Sequence, residues 1–420
     1  MNVRKLALEA IEKITTKHAF SNIVVNEYLN KFELSQEDRA LFTNVVYGTI
    51  QNLITIEYYL EPFIKKKQKT WVKCLLLMNI YQLVYLDIPE YAVVNEAVNI
   101  ANMKDRMIAN FVNAVLRNFL RTPLRTLDNL DEINYLSIKY SHPAWLVAFL
   151  LKDYKYGVVE KILIENSNIK DNAIRVNTLK AKKEDVIDIL DKEGIEYTVS
   201  NLVDNGIVIH GNITRNDLFT SGKVTVQDIS SQMVAEVTNP YLNSHILDLC
   251  SAPGGKVAHL AAIMRNTGEI YACDIYAKKI KLMEKTFRRL GVKNVKCQLI
   301  DARNVKNYVK ERSFDYVLAD APCSGLGVLS HKVDLKYNID PKSIEEVTFL
   351  QEEILESTCA LVKIGGYYVY STCTINKDEN ERQIAKFLRK HKEFVKEEEK
   401  KILPFENHND GFYICKMRRI

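Results

Sequence analysis

His245-Ile-Leu-Asp-Leu-Cys-Ser-Ala-Pro-Gly-Gly-Lys-Val-Ala-His-Leu-Ala-Ala-Ile-Met264 decides the fold. Residues 245–250 are a short, largely apolar run with the character of a buried strand. A glycine turn follows, and Val257–Met264 reads as a helix. Strand, tight turn and helix in that order open an α/β unit. Working outward, further strand candidates stand at 269–274, 295–300, 314–319 and 366–371, with helical stretches between them. From His245 onward the chain is therefore expected to form a doubly wound, mostly parallel sheet. Gly411-Phe-Tyr-Ile-Cys-Lys-Met417 is expected as a final edge strand. The charged tract Lys396–Lys401 is expected as a helix surface.

Upstream, the period changes. Ile174–Asn177, a helix over Lys183–Glu193 ended by Gly194, strands at Tyr197–Ser200 and Ile207–His210, a short helix near Asp217 and a strand at Lys223–Gln227 give a β-α-β-β-α-β order. That order is a small α+β subdomain, RRM-like in its topology. Residues 1–121 read as helix throughout. Val3, Leu6, Ala7, Ala10, Ile11 and Ile14 make one apolar stripe, and Ser35–Asp38 resembles a capping box. Trp71–Leu86, apolar nearly all round, is expected as the central helix, ended by Pro89. Pro123–Asp131 reads as a linker, and Ser141 as the N-cap of a helix with Pro143 in its first turn. The expected division is 1–125 all-helical, 126–230 linker helices and the α+β subdomain, and 231–420 the sheet domain.

The 420 residues are 47% hydrophobic and 26% charged, which suits folded domains rather than disorder. No apolar stretch reaches membrane-spanning length, and no secretory leader opens the sequence, so a cytoplasmic protein is expected. The eight cysteines include no Cys-x-x-Cys pair and no Cys/His cluster, so neither a metal nor a disulfide framework is expected. Residues 1–125 carry 16 Lys and Arg against 12 Asp and Glu, which holds most of the net charge of +5. The excess suits a nucleic-acid grip and equally a solvated helical face. The run Lys65-Lys-Lys-Gln-Lys69 is either a phosphate contact or an exposed loop.

Chemistry concentrates at the strand ends, where an open parallel sheet forms its ligand crevice. Cys323, in Asp320-Ala-Pro-Cys-Ser-Gly325, and Cys373, in Ser371-Thr-Cys-Thr374, each follow an apolar strand. Free cysteines usually just pack. Two at matching strand ends point to covalent addition to an unreactive ring carbon. The turn Cys250-Ser-Ala-Pro-Gly-Gly-Lys256 lets a ligand approach backbone and the N–H groups of a helix start. It is not a Gly-x-Gly-x-x-Gly fingerprint, so no dinucleotide is implied. Asp274 stands where an acid accepts from ribose hydroxyls, and Asp301 where one accepts from an adenine amine. Either acid could instead cap a helix. Lys256 orients Asp320 or the cysteines, or is an ordinary surface lysine.

Together, Asp248-x-x-x-x-Pro253-Gly-Gly-Lys256, Asp320-Ala-Pro-Cys-Ser-Gly325 and Ser371-Thr-Cys-Thr374 resemble the S-adenosylmethionine-dependent RNA cytosine-C5 methyltransferases. Arg175–Lys180 and Val226–Gln232 match that family's upstream segments. Asn95–Val98 and Phe111–Arg117 are similar to the NusB-type antitermination domain. The pairing resembles the bacterial 16S ribosomal RNA subfamily, of the RsmB/NOP/Sun type. The resemblance implies a Rossmann-like methyltransferase sheet behind a NusB-like helical domain. It implies S-adenosylmethionine held by Cys250–Lys256, Asp274, Asp301 and Asp320. It also implies Cys373 as nucleophile, Cys323 assisting release, and Asp320 and Lys256 at the catalytic centre. The expected partner is 16S ribosomal RNA with an unpaired or flipped cytosine, bound by a monomer with no membrane or metal. Ser330–Lys336 departs from the family's more basic Arg-x-Pro-Asp-Ile-Lys, which puts local RNA contacts in doubt. A non-catalytic RNA-binding factor needs none of these thiols, and an N-methyltransferase would use an Asn/Asp-Pro-Pro-aromatic clamp. A transfer RNA substrate is opposed only by the N-terminal resemblance.

Overall fold

The computed structural model describes residues 2–17, 19–168, 170–407 and 409–420. They group into two compact units, one of residues 1–168 with 329–339 and one of residues 169–328 with 340–420.

The first unit is helical. Its helices Val3–Lys17, Ser21–Lys31, Gln36–Gln51, Leu53–Leu60, Thr70–Tyr85, Glu90–Asn102 and Arg106–Arg121 enclose one apolar core. Thr70–Tyr85 is buried continuously over Cys74–Gln82, as the all-round apolar pattern requires. It ends before Pro89, which instead takes the N-cap position of Glu90–Asn102. A residue without an N–H suits a helix start, where that group would be unpaired anyway. Ser35 caps its helix by accepting from the Asp38 N–H at 3.1 Å. Ser141 does not cap. Its φ of 54° lies outside the capping range, and its Oγ accepts from the Ile54 N–H at 3.0 Å. Pro143 holds the N-cap position of Ala144–Leu151 instead.

The segment 329–339 packs into this unit by burying Val333 in the helical core. Asp334 accepts from the Ser21 backbone N–H at 3.1 Å and from its hydroxyl. Lys336 is 1% exposed and donates to the Gln51 carbonyl at 2.9 Å. Burial drives its ammonium down to about 7. Val333, Asp334 and Lys336, within the stretch Ser330–Lys336, are therefore packing residues of this unit.

The second unit holds both sheets. Strands β1 (Asn172–Val176), β2 (Tyr197–Val199), β3 (Gly206–Ile209) and β4 (Val224–Val226) form an antiparallel sheet ordered β2-β3-β1-β4. With helices at Lys183–Lys192 and Asp217–Thr220, this is the β-α-β-β-α-β unit read from the sequence.

The larger sheet contains β5 (His245–Asp248), β6 (Glu269–Asp274), β7 (Val295–Leu299), β8 (Phe314–Asp320), β9 (Val362–Thr372), β10 (Phe394–Ile402) and β11 (Phe412–Arg419), ordered β10-β11-β9-β8-β5-β6-β7. The strands from β9 to β7 run parallel, while β11 and β10 are antiparallel. From β5 the chain moves outward to β6 and β7, then returns to the other side as β8 and β9. The switch point between β5 and β8 is where a doubly wound sheet opens a ligand crevice at its strand ends.

Two expectations fail at the far edge. Lys396–Lys401 is not a helix surface but most of β10, and β11 is therefore internal rather than an edge strand. A strand with one open edge is protected from pairing with other chains by charged side chains, and Lys-Glu-Glu-Glu-Lys-Lys supplies them. Glu399 in β10 accepts from the Tyr413 hydroxyl in β11 at 2.7 Å.

Candidate active site

The site grows from the β5 turn. After Asp248 the backbone bends sharply. Ser251 Oγ donates to the Asp248 carbonyl at 3.0 Å and to its carboxylate at 2.9 Å, and the Gly254 N–H closes the turn on Ser251 O at 2.8 Å. Gly254 has φ 98°, and a Cβ there would come within 2.9 Å of the Phe287 ring, so glycine is required. Helix Gly255–Ile263 starts directly behind with no side-chain cap, so its first N–H groups have no intrahelical partner.

This turn forms one wall of a cavity of about 270 Å³ lined by Cys250, Ser251, Ala252, Pro253, Gly255 and Lys256. Asp248, Asp320 and Cys373 also line it. Gln227, Asp228, Ser231, Asp410 and Phe412 reach it from elsewhere in the second unit. Asp248 is fully buried. Its Oδ1 accepts from Ser251 and the Cys250 N–H, while Oδ2 has no partner. Burial raises this carboxyl to about 7, against the opposing pull of the Ser251 hydrogen bond. Gln227 Oε1 is a second buried acceptor with no partner on the same wall.

Strands β8 and β9 are neighbours, with Asp320 opposite Ser371. Asp320 and Cys373 therefore emerge side by side. Lys256 Nζ donates to Asp320 Oδ2 at 2.6 Å, and Ser371 Oγ to Asp320 Oδ1 at 2.8 Å. Lys256 is not a surface lysine, since its side chain is only 15% exposed. Burial pulls the ammonium down, but the charge and hydrogen bond of Asp320 outweigh this and hold it above the ordinary lysine value. Its Nζ also lies 5.2 Å from the centre of the Phe412 ring.

The two thiols meet. Cys323 Sγ and Cys373 Sγ are 3.1 Å apart. The hydrogen bond with Cys373 and burial together push Cys323 well above the ordinary thiol value. Cys373 lines the cavity and Cys323 stands behind it.

Asp274 and Asp301 stand elsewhere on the sheet. Asp274 is the last residue of β6, paired with Leu299 of β7, accepts from the Tyr276 N–H at 3.0 Å and has Lys279 Nζ at 3.6 Å. Asp301, just past β7, caps a short 3-10 helix and is clasped by the Arg303 guanidinium at 2.7 Å. That contact leads the lowering of its carboxyl below the ordinary value. Neither acid lines the cavity. Gln227, Asp228, Asp410 and Phe412 do, although the sequence did not single out their side chains for a site. The resemblance of Val226–Gln232 to an upstream family segment was the signal available for the first two.

In the first unit, Lys65, Lys66 and Lys67 are exposed and line a groove of about 710 Å³ with Ile54, Leu60, Ile64 and Ile138 as its apolar floor. Two carboxylates in the groove are already paired, Glu57 with Lys73 and Glu61 with Arg125, each at 2.6 Å. The three lysines have no carboxylate partner among the described residues.

Residues 235–418 match the family described as 16S rRNA methyltransferase RsmB/F, residues 142–214 its ferredoxin-like domain, and residues 1–121 the NusB family. The probable ribosomal RNA small subunit methyltransferase B of Bacillus subtilis is 37% identical over 100% of this chain and 99% of its own. The chain belongs to the RsmB/F family of 16S rRNA methyltransferases. The ribosomal RNA small subunit methyltransferase B of Proteus mirabilis is 31% identical over 98% of this chain and 97% of its own. The crystal structure of PH0851 superposes with a TM-score of 0.86 at 26% identity, covering 100% of this chain and 99% of that one. Membership makes the chain an S-adenosylmethionine-dependent rRNA methyltransferase, and the RsmB/F cavity fits that cofactor. Its amino acid end carries an ammonium, and the unpaired Asp248 Oδ2 and Gln227 Oε1 are buried acceptors suited to one. No group of His, Cys, Asp and Glu suited to a metal is found among the described residues. No helix among them is long and apolar enough to cross a membrane.

Proposed function

We propose that this chain methylates C5 of a cytosine in 16S rRNA through a transient bond from Cys373 to C6, giving 5-methylcytosine. One observation carries the reading, the 3.1 Å approach of Cys323 to a Cys373 that lines the cofactor cavity. S-adenosylmethionine supplies an electrophilic methyl group. C5 of cytosine is too weak a nucleophile to take it unaided. Addition of the Cys373 thiolate to C6 pushes the ring's electrons onto C5, which would take the methyl group as its bond to the sulfonium sulfur breaks, leaving S-adenosylhomocysteine. A base admitted from solvent takes the C5 proton, the C–H electron pair forms the C5–C6 double bond, and the C6–S bond breaks to expel Cys373 as thiolate. Cys323, kept protonated by its surroundings, donates its S–H to the departing sulfur. Asp320, fixed by Lys256 and Ser371, meets the pyrimidine N3/N4 edge as charge develops there.

Asp248 and Gln227 take the cofactor's ammonium. The turn Cys250–Lys256, with Gly254 allowing its close approach, cradles the rest of the amino acid end, and Asp274 takes the ribose. Asp301 reaches the adenine only on release from Arg303. Residues 1–125 hold the RNA, with Lys65–Lys67 on its phosphates, residues 126–230 bridge, and residues 231–420 catalyse. The substrate cytosine is unpaired or flipped, because a stacked base hides C6 from a half-buried thiol inside a cavity. The enzyme works as a monomer in the cytoplasm.

The test is nucleoside analysis of small-subunit rRNA transcripts incubated with the protein and S-adenosylmethionine. A single 5-methylcytosine supports the reading. Methylation on an exocyclic nitrogen, or on transfer RNA alone, overturns it.

A further inference from the structure

Glu379 lies in the turn after β9, is fully buried, and has no part in the steps above. Its carboxylate gathers donors from the two loops that carry the thiols. Oε2 accepts from the Ser324 backbone N–H at 2.8 Å and from Gln351 Nε2 at 3.0 Å. Oε1 accepts from the Ser324 hydroxyl at 2.5 Å, Asn376 Nδ2 at 3.0 Å and, weakly, the Thr374 hydroxyl at 3.5 Å. Ser324 follows Cys323, and Thr374 follows Cys373. The two hydroxyls also touch each other at 2.8 Å. Gln351 ties the same carboxylate to the Pro322 carbonyl at 2.8 Å, on the other side of Cys323. Sheet pairing alone does not set the thiol separation, because both cysteines lie beyond the strand ends.

We propose that Glu379 is the positioning residue of the thiol pair, fixing Ser324 and Thr374 so that Cys323 stays within reach of Cys373 throughout turnover. This rests on the covalent reading of the site. A carboxylate suits the task because it accepts from several N–H and O–H donors at once, whereas an amide turns one face into a donor that opposes the Ser324 N–H. Its negative charge also contributes to the raised value of Cys323.

Glu379→Gln and Glu379→Asp are compared with the parent protein by three measurements: affinity for S-adenosylhomocysteine, kcat on a small-subunit rRNA transcript across pH, and the fraction of protein linked to RNA on a denaturing gel. For Glu379→Gln the expected result is affinity within about twofold, kcat lower by at least tenfold, more linked RNA, and the fall of rate at high pH displaced toward acid. Removing a nearby anion lowers the Cys323 value, which sets that direction. Glu379→Asp keeps the charge and is expected to retain the parent pH profile with an intermediate rate. A purely structural Glu379 would move neither the profile nor the linked fraction, and that outcome overturns the proposal. Should Glu379→Gln fail to fold, Ser324→Ala removes a single donor, and an unchanged rate and linked fraction in that variant overturn it equally. If Cys323→Ala in the parent background yields no linked RNA, the covalent reading itself fails. If it yields linked RNA while the Glu379 variants behave as the parent, only the positioning role fails.

Discussion

Asp248 makes cofactor binding depend on pH in a direction the structure dictates. Its carboxyl stands at about 7 in the ligand-free protein, because burial opposes its charge. To hold an ammonium it must be ionised, so binding competes with a proton. With a value of 7, roughly nine-tenths of the sites carry a proton at pH 6 and one-tenth at pH 8. The dissociation constant for S-adenosylhomocysteine is therefore expected to weaken about tenfold from pH 8 to pH 6, on the order of 1.4 kcal/mol. Calorimetric titration at half-unit steps measures this, with Asp248→Asn as reference. The ligand's own titration is common to both proteins and cancels in the comparison. The variant should bind more weakly at pH 8 and show a flat profile below it. Equal slopes in the two proteins would refute the assignment. The same raised value has a cost without ligand. Between about pH 4 and 7 the folded protein keeps a proton that the unfolded chain releases, so this group's contribution to stability falls as pH rises through that window.

Lys336 tests the opposite sign. Its folded value of about 7 lies below the ordinary lysine value, so between pH 7 and 10 the unfolded chain binds a proton that the folded chain does not, and stability gains as pH rises. Lys336→Met should remove this gain, worth up to about 4 kcal/mol; denaturant melts at pH 7 and 9.5 that shift in parallel for both proteins would contradict it. The groove lysines should act on RNA alone. Charge reversal at Lys65, Lys66 and Lys67 is expected to weaken binding to an rRNA fragment and to flatten its dependence on log salt by about 2, at about 0.7 for each single-strand phosphate contact. Filter binding from 50 to 300 mM salt reads the slope, and S-adenosylhomocysteine affinity should stay constant.

Much of this was legible because strand ends punctuate the sequence. Most of the parallel strands carry a short apolar run, and Asp274, Asp320 and Cys373 lie where those runs stop. Helical periodicity was as plain in the first unit. Lys396–Lys401 reads as a helix surface because an edge strand facing water has no apolar alternation to distinguish it from one. Ser141 reads as a cap because it stands two residues before Pro143, while the bond that claims its hydroxyl comes from Ile54, remote in sequence. The cavity wall at Gln227, Asp410 and Phe412 depends on side chains brought together only by tertiary folding. Glu379 gave no sign of a link to Cys323, since the donors that make it, Ser324 and Gln351, are remote in sequence.

Denaturing electrophoresis of Cys323→Ala after incubation with labelled small-subunit rRNA and S-adenosylmethionine is the most direct test. A slow band that carries both protein and RNA, absent when Cys373→Ala is added, is the predicted result. Free RNA in every lane, or a band that survives loss of Cys373, contradicts the covalent route.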